Sequence, residues 1–64
     1  MLDDNSKKII ECIKSNKNMD AEKISIKTGI NISIVNPALT MLEMEEIIIY
    51  TRKNGYDLAE AYYE

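Results

Sequence analysis

The sequence predicts a winged helix-turn-helix: a mainly α fold of three helices followed by a two-stranded β-hairpin. It forms one domain over residues 1–64, with an ordered core over about 5–59 and a tail at 60–64. Three observations predict it. Apolar residues recur at helical spacing in three successive segments between Asn5 and Glu45. The pattern then changes to β-branched and aromatic residues at Ile47-Ile48-Ile49-Tyr50-Thr51. Asn54-Gly55 follows, a two-residue hairpin signal because both residue types tolerate positive φ.

The first helix is expected from about Asn5 to Ser15. Ile9, Ile10, Cys12 and Ile13 fall on one stripe, with Lys7, Lys8, Glu11 and Lys14 opposite. Asp3 or Asp4 can accept from the free amides at its start, and Leu2 can cover the first turn as an apolar staple. Ser15-Asn16-Lys17-Asn18 is a polar connector. The second helix is short: Asp20 is its expected N-cap, Met19 can pack on Ile24, and Gly29 after Thr28 is the expected left-handed stop. Eight residues do not hold a helix alone, so this one must dock on the others.

Asn31 caps a third helix reaching about Glu45. Val35, Leu39 and Leu42 form its inward stripe, with Ala38 and Met44 filling the flanks. Pro37 removes one amide donor in the second turn, where an interior proline costs about 3 kcal/mol. A single helix bent near Pro37 is expected; the alternative is that Asn36-Pro37 caps a shorter one. Beyond the third helix, Tyr56-Asp57-Leu58 is the partner strand of the hairpin, which is too small to stand without the helices.

Composition narrows the function. The 64 residues are 45% apolar and 30% charged, eleven of them Ile, as a small dense core requires. No apolar run exceeds four residues, so neither a membrane span nor a signal-peptide core is expected. One Cys forms no intrachain disulfide and suits a cytoplasmic, reducing compartment. With no His, a lone Cys and two Gly, the chain offers no zinc site, no Cys-His dyad and no phosphate-cradling loop. The expectation is a binding module: no enzyme, no cofactor, no metal and no small-molecule substrate.

Thr28-Gly29-Ile30, Val35, Leu39, Leu42-Glu43-Met44, Ile47-Ile48 and Tyr56-Asp57-Leu58-Ala59 resemble the C-terminal winged-helix domain of the DprA (Smf) family of bacterial DNA-processing proteins. The resemblance runs without gaps from about Asn5 to Ala59. It implies a domain cut from a longer protein that works in natural transformation and recombination; the second reading is a free-standing small transcription regulator, since Met1 is compatible with a natural start. The sequence departs from the family at Glu46, where a Gly usually closes the third helix. Among the winged helices that bind left-handed DNA, a Lys, an Asn and a Tyr mark the third helix. Only Asn36 matches here, with Ile32 and Thr40 at the other two positions.

Charge weighs against a duplex. Residues 1–31 hold six Lys and a net charge of +1, whereas residues 32–64 hold only Arg52 and Lys53 as cations and a net of −4. Phosphate neutralisation supplies most DNA affinity, and the third helix has no cation. Its outward stripe is Ile34, Pro37 and Met41, and either Ile48 or Ile49 also faces out. With Glu43, Glu45 and Glu46 as a rim, Ile34, Pro37, Met41 and Ile49 form an expected protein interface. The partner would be a protein, a domain of the parent chain or a second copy.

Competing readings stand beside this one. Ile34 and Met41 can be core residues of a crowded domain. Lys27, Asn31, Ser33 and Asn36 with Arg52, Lys53 and Asn54 can be a weak double-stranded-DNA surface of a small transcription regulator, or simply solvated surface. Cys12 among Ile9, Ile10 and Ile13 is a buried small hydrophobe in preference to a reactive thiol. Tyr62 and Tyr63 can stack on bases or belong to a helix-packing tail.

Overall fold

A computed structural model describes residues 2–63, with the side chains of Ala61 and Tyr63 outside the description. Three helices, α1 (Asp4–Ser15), α2 (Ala21–Thr28) and α3 (Ile32–Met44), precede an antiparallel hairpin of β1 (Ile48–Thr51) and β2 (Gly55–Leu58). The protein is thus mainly helical with a two-stranded sheet, an order compatible with the winged-helix expectation. No described helix is long and apolar enough to cross a membrane.

Each helix begins on a side-chain cap. Asp3 accepts from the Ser6 amide at 2.7 Å, Asp20 from Lys23 at 2.8 Å and Asn31 from Ser33 at 2.8 Å. The Ser6 amide, then its hydroxyl, favour the charged form of Asp3 and hold its carboxyl below the usual aspartate value. Gly29 ends α2 at φ 76°. The turn into α3 is pinned by side chains: Ser25 Oγ donates to the Ile30 carbonyl at 2.6 Å, and Thr28 Oγ1 accepts from the Ile30 amide at 3.2 Å. Ile30 is thereby held in the core.

α3 runs unbroken through Pro37, so the shorter-helix alternative does not hold. The ring removes the donor that would have served the Ser33 carbonyl, at an exposed position where water can replace it. Val35, Ala38, Leu39 and Leu42 are buried as expected, but Met44 does not fill their flank: it is 79% exposed. At about 100° per residue, Met44 lies on the solvent side of the axis, well away from Leu42.

The corner after α3 closes as a Schellman motif. The Ile47 amide donates to the Leu42 carbonyl and the Glu46 amide to the Glu43 carbonyl, each at 3.0 Å. Glu46 takes the left-handed position at φ 62°. Ile47 therefore belongs to the corner and not to the strand, and it packs partly buried against the core that includes Leu42.

The hairpin turn also differs from the expected two-residue form. Thr51 pairs with Gly55, which leaves a three-residue loop, Arg52–Asn54. Gly55 adopts φ 71°, whereas Asn54 has negative φ and donates its amide to Thr51 Oγ1 at 3.0 Å. Register places Ile48 opposite Leu58 and Tyr50 opposite Tyr56 on the core side of the sheet. Tyr50 and Tyr56 pack as a tilted pair, with ring centroids 4.8 Å apart and planes at 58°.

Met19, at the end of the connector, bridges to Gly55 and Tyr56, and its carbonyl accepts from the Tyr56 amide at 2.8 Å. Its side chain is buried with Ile9, Ile13, Ile24, Leu39, Leu42 and Ile48 in one cluster that every element feeds. After Leu58 the Ala59 amide bonds the Ile47 carbonyl, and Glu60–Tyr63 forms one 3₁₀ turn, giving a shape to the tail that the sequence left open. Glu64 and the Tyr63 ring lie outside the described residues.

Candidate functional site

The outward side of α3 follows from its buried side. With Val35, Ala38, Leu39 and Leu42 facing the core, helical geometry sends Ile34, Pro37 and Met41 outward on one strip. Ile34 and Met41 are each 45% exposed, and Pro37 is exposed too. The core reading of Ile34 and Met41 is therefore overturned. Met44 extends the strip by one further position, so four apolar side chains stand in line at 34, 37, 41 and 44.

Charge is absent along most of this strip. From Thr28 to Leu42 the chain has no ionisable side chain. Of the three glutamates expected as a rim, Glu45 falls beside the strip by helical angle, while Glu43 projects to the opposite flank. The neighbourhood of Tyr56 agrees with that placement: burial raises the Tyr56 phenol first, then the Glu43 carboxylate and Tyr50 add to the rise. Glu43 thus faces the hairpin, not the strip.

Ile49 is 47% exposed while Ile48 is buried, so Ile49 is the outward member of that pair. It stands opposite Asp57 on the sheet face that turns away from the core. It belongs to a different element from the α3 strip.

Lys27, Asn31, Ser33, Asn36, Arg52, Lys53 and Asn54 are all exposed, as a DNA surface requires. The side-chain Oδ1 of Asn31 already accepts from the Ser33 amide. Asn54 lines a cleft of about 400 Å³ beside Lys14, Lys17 and Tyr56, between the end of α1 and the hairpin. Lys27 lines a shallow groove of about 480 Å³ beside Lys7, Lys8 and Glu11 of α1. Two of these residues therefore meet cations from elsewhere in the chain: Lys27 meets Lys7 and Lys8 of α1, and Asn54 meets Lys14 of α1 and Lys17 of the connector. Sequence reading missed both clefts, because they join residues far apart in the chain.

Cys12 sits at the floor of the α1–α2 groove and is buried. Burial pushes its thiol up, and Lys27 pulls weakly the other way. A protonated thiol is a packing group and a poor nucleophile. Among the described residues, no group of three His, Cys, Asp or Glu could hold a metal ion.

Comparison with known proteins returns no family model, no curated protein and no solved structure that matches this chain.

Proposed function

We propose that this chain is a non-catalytic winged-helix module that works by protein contact through the outward side of α3. In winged helices that read DNA, the helix in this position and the wing meet a phosphate backbone, and cations on them supply the affinity. Here that helix offers Ile34, Pro37, Met41 and Met44 with no cation along its length. One observation carries the reading: an apolar strip stands solvent-exposed where the fold expects Lys and Arg. Contiguous exposed apolar surface favours a protein partner. The setting in DNA processing rests on the residue resemblance to the DprA family alone.

The test pairs two measurements. A photo-reactive benzoylphenylalanine at position 34 should give adducts with protein, and the same group at Lys8 should not. Titration against single- and double-stranded DNA at low salt should show no binding that depends on Arg52 and Lys53. Duplex binding at micromolar strength, falling steeply with salt and lost in Arg52→Ala/Lys53→Ala, would replace this reading with the DNA-binding one.

A further inference from the structure

We infer that the occupant of the α3 strip is the α3 strip of a second copy, packed antiparallel across a twofold axis. This rests on the protein-contact reading of the same surface and names its partner.

The spacing carries the argument. Ile34, Pro37, Met41 and Met44 are separated by three, four and three residues, the seam period of two helices packed along their length. That series reads identically from either end, with its centre at Leu39. Reversing a second copy about that centre brings Ile34 against Met44 of the other chain, and Pro37 against Met41. An isologous contact pairs residue i with j and j with i, and on reversal this strip matches itself position for position.

Charge fixes the direction. Glu45 and Glu46 follow the C-terminal end of α3, and no charged side chain lies between Thr28 and Leu42. A parallel pair would set the glutamates of both copies side by side. The antiparallel pair instead sets each acidic end beside the other helix's N-terminus, where the first turn has no acid and the helix dipole is positive. The same ends that repel in one orientation attract in the other.

The strip extends about 15 Å at 1.5 Å per residue. Four side chains cover less than the roughly 800 Å² per partner of a standard stable interface, so the dimer should be weak and reversible. Sedimentation of the chain from about 10 μM to about 1 mM should show monomer giving way to dimer, a span that brackets weak associations. Met44→Glu, at a position with almost no core contact, should shift that curve at least tenfold to higher concentration, and Asn36→Glu on the far flank should leave it in place.

Orientation is read by oxidation in a Cys12→Ala background. The double variant Ile34→Cys/Met44→Cys should form a covalent dimer, and each single variant should not. The two positions lie too far apart within one helix to bridge internally, since a disulfide needs Cα atoms within about 7 Å. A monomer at every concentration would overturn the second copy, as would single variants that link to themselves. If the chain stays monomeric and the photo-reactive group at position 34 still captures a different protein, the contact reading stands and only its occupant is wrong. If neither is seen, both fall.

Discussion

Glu46 occupies a backbone position that suits glycine, and the corner after α3 forms regardless because its two backbone hydrogen bonds and the Ile47 packing outweigh the crowding. A left-handed non-glycine residue costs roughly 1–2 kcal/mol, partly offset by the extra freedom a glycine has when unfolded. Glu46→Gly should therefore stabilise the protein by about 1 kcal/mol, raising its melting temperature by roughly 4–8 °C for a domain of this size. Thermal denaturation followed by circular dichroism checks it; a lower midpoint would mean the Glu46 side chain contributes something its exposure does not suggest. The sequence made the missing glycine visible but not its consequence, since residue identity reports what a position tolerates and not the φ the fold imposes. Met44 taught the opposite lesson. Its apolar character placed it with the core, yet its angle on the helix puts it in water, and angle decides.

Among the elements, the hairpin shows most clearly where local pattern runs out. Its strands were legible from β-branched residues and from Asn54-Gly55, but the attachment of Met19 was not, because a single bridging residue has no periodicity to read. That attachment explains Gly55 better than the turn does. A Cβ at Gly55 would lie 2.4 Å from the Met19 carbonyl oxygen, whereas one at Gly29 would meet nothing within 4 Å. Both residues have positive φ, so the two positions separate strain from collision. Gly29→Ala should cost about 1 kcal/mol from the left-handed conformation alone. Gly55→Ala should cost about 3 kcal/mol or more, since strain and collision with backbone add. Urea titrations of the two variants compare the costs directly, and equal losses would show that Met19 does not hold the hairpin. The caps Asp20, Gly29 and Asn31, by contrast, were readable because each acts locally, within a turn of where it stands, whereas the start of α1 was left between Asp3 and Asp4.

For the whole molecule, the decisive fact is that one cluster of side chains serves all five elements. A chain this short has no second core to retain structure if the first is lost. Helices and hairpin should therefore unfold together. The four tyrosines all lie between Tyr50 and Tyr63 and there is no tryptophan, so tyrosine fluorescence follows the hairpin and tail while far-ultraviolet dichroism follows the helices. The two signals should trace one urea transition, and an earlier loss of fluorescence would mean that Ile48 and Leu58 are dispensable to the core. At this scale the sequence told most about what the protein is built from and least about where its surfaces meet. The net charges of the two halves were plain, but the grooves that gather Lys7, Lys8 and Lys27, or Lys14, Lys17 and Asn54, exist only once the chain has folded.

Met19 bridges the outer side of β2 at Gly55 and Tyr56, whereas the outer side of β1 keeps a lateral row of amides and carbonyls with no bridging residue among the described residues. Its sequence, Ile-Ile-Tyr-Thr, contains none of the lysines or prolines with which small sheets usually blunt such a margin. In crowded or partly denatured preparations, that margin is where one molecule would stitch itself onto the next, and a lysine in place of Ile49 is the simplest way to keep the protein in solution.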